Sequence, residues 1–316
     1  MGRQGGKIIN GLKGQICCDL SEVECITSGH YALEIIQRQT RRLGKLQPEV
    51  LADQDPESLH QFRVGVRRLR TVLQQFAPAL LLPNSVTPGR LADVARHTSL
   101  TRDLDVLGLR LENHLIPGLS EQESRAMEPV LRRLRRERAQ AFEELQAALR
   151  STRYLKLLAR LHKWQRQPLF TPLGGRSIKA WVVDWLTPSV GDLFLHQGWL
   201  VDQPDALDLH DLRKKIKAAR YALEHLEPLL QPELRARISD LKQAQEKLGE
   251  LQDLQVLLQL LDRGSFRKDR ANLPGLIDRL NQEMVEAWRL WQQLAESMLN
   301  DDYRQAFHRH LAAAPT

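Results

Sequence analysis

The stretch 59-LHQFRVGVRRLRTVLQQFAPAL-80 carries four arginines and a histidine and no acidic residue. It returns 150 residues later as 209-LHDLRKKIKAARYALEHLEPLL-230. Seven of the 22 positions are identical, namely Leu59, His60, Arg63, Arg70, Leu73, Pro78 and Leu80 with their counterparts, and Val66/Ile216 and Arg67/Lys217 are conservative. A second pair of segments, 102-RDLDVL-107 and 252-QDLQVL-257, shares the same offset without a gap. Chance agreement between two helices would keep apolar positions in common, not the histidine and the arginines. The chain is therefore read as two homologous helical halves joined near 168-PLFTPLGGRS-177.

On a 3.6-residue wheel His60, Arg63, Arg67 and Arg70 share one side of the first helix, while Phe62, Val66, Leu69, Val72, Leu73 and Phe76 take the other. In the second copy His210, Arg213, Lys217 and Arg220 form the stripe, with Lys214 beside it, and Leu212, Ile216, Ala219, Leu223 and Leu226 face away. An ordinary solvated face interleaves acids one turn from its cations, because such pairs add a few tenths of a kcal/mol, whereas like charges at those spacings repel. The first stripe has no such acids, and the pattern occurs twice, which favours an anion site over a plain surface. A stripe from His60 to Arg70 runs about 15 Å along the axis, long enough for an extended anion. Arginine grips phosphate oxygens in pairs, lysine adds a point charge, and histidine donates one hydrogen bond when neutral and two when protonated.

The rest of the sequence is consistent with this. Of 316 residues, 42% are hydrophobic and 27% charged, and the helix formers Leu, Ala, Arg, Gln and Glu dominate, so an all-α soluble fold is expected. A net charge of +7 and a pI near 9.5 point to polyanionic partners. Apolar spacing predicts helices at about 28–46, 56–77, 88–114, 120–150, 152–166, 176–197, 207–228, 231–262, 272–299 and 301–312, with prolines mostly between them and Pro129 and Pro188 inside. Residues 1–27 read as an N-terminal arm, and 28–316 as a single domain of two helical halves, about 28–167 and 178–316. Cys17, Cys18 and Cys25 read as free thiols of a reducing compartment. No stretch is long and apolar enough to span a membrane, and the start lacks the apolar core of a signal peptide, so the expected location is cytoplasmic.

Two further features are expected to be structural. The run 130-VLRRLRRERAQAF-142 wraps its arginines around a helix and reads as a solvated face that Glu143 and Glu144 can neutralise locally, with a flank for a long anion as the alternative. Trp164, Trp181, Trp185, Trp199, Trp288 and Trp291 do not interleave with the basic stripes, so they read as core or bundle-end packing, not as a stacking platform for bases. Asp103 and Asp253 either orient arginines or sit as surface carboxylates, and Arg68 is either a rim contact or solvated.

The twin motifs HxxRVxxRRLR and HxxRKxxKxxRY, with the RDLDVL and LQDLQVL segments, resemble the two halves of the CHAD family, and the resemblance covers nearly the whole chain after residue 28. It implies two four-helix bundles related by a pseudo-twofold axis around a basic central channel, binding of inorganic polyphosphate, and in some members residence on polyphosphate granules. By that match His60, Arg63, Arg67, Arg70, His210, Arg213, Lys214, Lys217 and Arg220 are the expected ligand residues. The second motif departs from the first at Ala218-Ala219, where the first has Arg68-Leu69, so the two walls are not equivalent.

Some relatives carry an added triphosphatase domain with alternating glutamates. Here Glu22-Val23-Glu24 is followed by Cys25 and Ile26, and the motif stops. No P-loop, Ser-His-Asp order or HExxH is present, no metal site is expected, and the stripes offer cations that hold phosphate without activating water. The expectation is a non-enzymatic polyphosphate binder without a cofactor. The alternatives are a nucleic-acid binder using the same phosphate grip and a scaffold recruiting proteins to granules.

Overall fold

In the computed structural model, residues 26–262 and 270–313 are described. The three cysteines, most of the N-terminal arm and the Glu22–Glu24 pair lie outside them. Among the described residues ten α-helices follow one another: α1 (Ser28–Ala52), α2 (Pro56–Gln75), α3 (Pro88–Arg110), α4 (Glu121–Arg150), α5 (Thr152–Arg166), α6 (Val182–Phe194), α7 (Leu207–Leu226), α8 (Pro232–Asp262), α9 (Pro274–Leu299) and α10 (Asp301–Ala312). Among the described residues there is no β-strand, only the isolated bridges Thr27–Ser177 and Leu80–Phe170. None of these helices is long and apolar enough to cross a membrane.

The starts of the helices are written in the sequence. Asp55 accepts from the Glu57 amide ahead of Pro56, Thr87 precedes Pro88, and Ser120 with Glu123 forms a capping box. Several interruptions differ from expectation. α1 continues through Pro48 to Ala52 because Val50 is buried and Asp53, at φ 52°, closes the helix in the left-handed region. Pro129 and Pro188 also lie inside helices, bracketed by the buried pairs Met127/Val130 and Leu186/Val190, whose packing outweighs the lost backbone bond. The helix expected at 176–197 is confined to α6. Before it the Ile178 amide donates to Ile26 (3.0 Å) and Lys179–Trp181 make a short 3-10 turn, and after it His196 Nδ1 accepts from Gly198 (3.0 Å) to start another. α3 ends at Arg110 and continues as a wider π turn, Leu111–Leu115.

The neighbours repeat. In the first half α1 packs on α2, α2 on α3, α3 on α4, and α5 on α4 and α1; in the second, α6 packs on α7, α7 on α8, α8 on α9, and α10 on α9 and α6. α2 and α7 also pack on each other. One continuous apolar core runs through both halves. The apolar faces read from the wheel are all in it: Phe62, Val66, Leu69, Val72 and Leu73 on α2 with Phe76 just after its end, and Leu212, Ile216, Ala219, Leu223 and Leu226 on α7, each 0% exposed. Four tryptophans are buried, with Trp199 stacked on Trp291 (5.5 Å) and Trp185 against Phe76 (5.1 Å), while Trp181 is 38% exposed.

The segment 168–177, read as a linker, is a packed element. Gly29 and Ser28 donate to Gly174 and Arg176 (both 2.8 Å), Thr171 donates to Ala79 (3.1 Å), and Leu81 to Leu169 (3.0 Å). A Cβ on Gly174 would stand 2.2 Å from the Ala79 carbonyl oxygen, so glycine is needed for this close approach. The halves are tied elsewhere too. Gln75 and His225, equivalents under the 150-residue offset, hydrogen-bond each other (2.9 Å), and Tyr31 donates to the His225 carbonyl (2.7 Å). Glu123 of α4 accepts from the Gly275 and Leu276 amides (2.6 and 3.3 Å), capping the start of α9.

Candidate anion-binding site

Burying the apolar sides of α2 and α7 turns their basic sides towards each other. Arg63 reaches α3, where its Nε donates to Ser99 Oγ (3.2 Å) and its Nη2 to Asp103 Oδ1 (3.4 Å). Arg213 makes the matching reach to α8, where its Nη1 donates to Gln252 Oε1. Opposite Ser99 in the repeat stands Gly249, and a Cβ there would lie 3.0 Å from Arg213 Nη2, so the bare backbone leaves room for that guanidinium. The two halves thus hold corresponding arginines against corresponding helices by different contacts.

Charges on the two helices act on each other. Burial lowers the Arg63 pKa to about 10, and Arg67 on its own helix and Arg213 across the interface add repulsion that Asp103 and Tyr221 only partly offset. Arg213 is lowered by burial and by Arg67, against the pull of Asp253 and Asp103. Lys217 is lowered furthest, to about 6, first by burial and then by Arg213, Arg67 and Arg63, with Asp103 opposing. Burial raises Asp103 and Asp253, although the surrounding cations pull both down. Asp103 keeps 62% of its side-chain surface and still feels desolvation, which marks an accessible group set in a recess. Each interacting pair Arg63/Arg213, Arg67/Lys217 and Asp103/Asp253 consists of repeat equivalents.

His60 stands at the outer end of the first stripe. Its pKa is lowered by burial and by Arg102, Arg63 and Arg67, with Glu57 opposing. Arg70 is half-buried, and its Nε is buried without a hydrogen-bond partner. The remaining expected residues fall elsewhere. Lys214 is turned to the surface in a pair with Asp211 (2.8 Å), and His210 is exposed beside a small cavity that Arg213 and Gln252 also line. Arg220 is drawn to Glu224 (3.1 Å) and lies over the Tyr221 ring (4.7 Å). Glu224 also binds Arg68 of α2 (3.0 Å), so Arg68 is neither a rim contact nor solvated but a tie between the halves.

Three participants escaped the sequence reading. Arg102 acts on His60 from α3, and its place in the repeated RDLDVL segment was the available signal. Gln252, its equivalent, holds Arg213. Glu224 could have been found as the acid one turn after Arg220.

Three arginines of the 132–138 run have acidic partners other than Glu143 and Glu144. Arg135 binds Glu112 (2.6 Å), Arg132 lies 3.8 Å from Glu128, and Arg138 binds Asp105 (2.8 Å) and both oxygens of Asp53. Hydrogen bonds from Asp53 and Asp105 raise the Arg138 pKa despite its burial. Among the described residues no group of three or more histidines, cysteines or carboxylates is placed to hold a metal ion.

Comparison with known proteins adds a fold and a family. The family model for the CHAD domain matches residues 34–262. The crystal structure of the CHAD domain from the plant Ricinus communis is similar over 93% of this chain and 95% of that one, at 22% identity and a TM-score of 0.62. PptA from Streptomyces chartreusis is similar over 85% of this chain and 99% of its own, at 20% identity and a TM-score of 0.62. At these identities the likeness shows the fold alone. No curated protein matches the sequence.

Proposed function

Since the chain belongs to the CHAD domain family, known for polyphosphate binding, we propose that it binds inorganic polyphosphate, without hydrolysing it, in a basic channel between α2 and α7. One observation carries this reading. Repeat-equivalent cations confront each other across the two halves, Arg63 with Arg213 and Arg67 with Lys217, and burial first, with repulsion among these cations added to it, lowers the pKa values of Arg63, Arg213 and Lys217. Such an arrangement costs the bare protein stability, and a polyanion lying between the helices reverses the cost. The hydrogen bond between the equivalents Gln75 and His225 supports a pseudo-twofold axis passing between the halves, which would set the two walls face to face.

Among the described residues the stripes supply positive charge and hydrogen-bond donors, and the Asp103 carboxylate beside them is engaged by Arg63, which supports holding phosphate over activating a nucleophile. Phosphate contacts carry no base information, and four of the six tryptophans are packed in the core, away from any role in stacking bases. Where polyphosphate granules form, a protein gripping long chains would be carried to them. Competition binding among long-chain polyphosphate, RNA and DNA at matched phosphate concentration tests the reading, with the polyphosphate recovered and sized afterwards. Polyphosphate is expected to win and to be recovered at its original length. A preference for either nucleic acid, or shortened chains, would overturn it.

A further inference from the structure

Lys217 stands where an ammonium ion is poorly accommodated. It projects from α7, half-buried, and has neither a hydrogen-bond nor an ion-pair partner among the described residues. On its own helix Arg213 lies one turn before it, and the flanking Lys214 and Arg220 are held away by Asp211 (2.8 Å) and Glu224 (3.1 Å). From α2 it faces Arg63 and Arg67. From α3 it faces Asp103, already bonded to Arg63 (3.4 Å), and from α8 Asp253, whose charge is shared with Arg213. Three guanidinium groups therefore outweigh two committed carboxylates around one amine. The other three cations of the cluster are arginines, which do not give up their protons in this range. Lys217 replaces the arginine found at the equivalent position, Arg67, so the second wall carries the titratable member of the pair.

We propose that an anion entering between α2 and α7 is bound together with one proton, which Lys217 takes up. The inference rests on the phosphate-binding reading of the same faces. In the free protein the amine is neutral at physiological pH, in keeping with its pKa of about 6. When phosphate oxygens arrive, the field at Nζ changes sign. The Nζ lone pair then accepts a proton from solvent, and the resulting ammonium donates to the phosphates. Over the pH range between the free and bound pKa values, affinity should weaken tenfold per pH unit, the signature of one linked proton. Binding would therefore tighten on acidification with no change of partner or fold.

The test is isothermal titration calorimetry of the full chain with long-chain polyphosphate, whose terminal phosphates are few, at about pH 8, above the usual range of histidine and the carboxylates. Parallel runs use two buffers of different ionisation enthalpy. The expected result is uptake of one proton per protein, abolished in Lys217→Arg, whose affinity becomes nearly flat with pH while binding persists. Lys217→Met should also lose the uptake and bind more weakly. Tight binding by the wild type without proton uptake, or uptake that survives in Lys217→Arg, would overturn the inference and leave polyphosphate binding standing. Failure of the wild type to bind at all would instead remove the functional reading, and this inference with it.

Discussion

Replacing Lys217 by methionine should change how stability depends on pH before any ligand is added. Folded Lys217 titrates at about 6 and the unfolded side chain at its usual value of about 10.4. Between those limits the unfolded chain holds a proton that the folded chain lacks, so the wild type gains stability as pH rises through the window and loses it as pH falls. Below the window both states are protonated and the slope vanishes. The ceiling is about 1.4 kcal/mol per pH unit for a full proton difference. Partial exposure screens the repulsion, so between about pH 7 and 9 the difference between wild type and Lys217→Met should move by about 1–2.7 kcal/mol. Arg63, lowered to about 10, contributes above this range and is common to both proteins. Urea unfolding at each pH gives the difference directly, with equal slopes m confirming the same surface change. Lys217→Met should be favoured most at the acid end, with the wild type gaining on it towards alkaline pH. Parallel curves would show that Lys217 keeps its proton in the free protein, and the electrostatic account of the facing helices would be wrong.

Other expectations follow from individual contacts. Glu224→Gln leaves Arg68 and Arg220 facing each other without their shared carboxylate and should cost about 2–4 kcal/mol in urea unfolding; an unchanged midpoint would mean that the pairs are solvated. Gly174→Ala drives a methyl group into the Ala79 carbonyl and should cost about 1–3 kcal/mol, whereas a neutral result would show that 168–177 can give way. Polyphosphate affinity should fall steeply and linearly on a log–log plot against salt, with a slope of several units; a near-flat line would mean that the stripes are not the contact surface.

The faces of α2 and α7 were legible because burial and charge there follow one helical period, and each copy repeats the other. Phe62 and Ile216 had to point inward once their periodicity was read, which sent Arg63 and Arg213 to the opposite side. Contacts between elements distant in sequence were not legible. Nothing near Arg68 announces Glu224, 156 residues away, and nothing near Arg138 announces Asp53. The wheel placed Arg220 and Lys214 correctly on their helix but could not show that Glu224 and Asp211 engage them. Proline misled at Pro48 for a related reason, since the buried Val50 beyond it holds the helix together. The segment 168–177 has a linker's composition, yet its backbone is bonded to the start of α1 and to the turn after α2, a use of glycine that composition does not distinguish from looseness.

The most direct test of facing walls is the stoichiometry and affinity of long-chain polyphosphate for the wild type, Arg63→Ala/Arg67→Ala and Arg213→Ala/Lys217→Ala. Charge-assisted contacts contribute about 1.5–3 kcal/mol each, so either double variant should bind at least about tenfold more weakly. If one shared channel holds the anion, the wild type binds one chain per protein, and neither variant retains a full-affinity site. Two independent sites, each surviving removal of the other wall, would contradict the account.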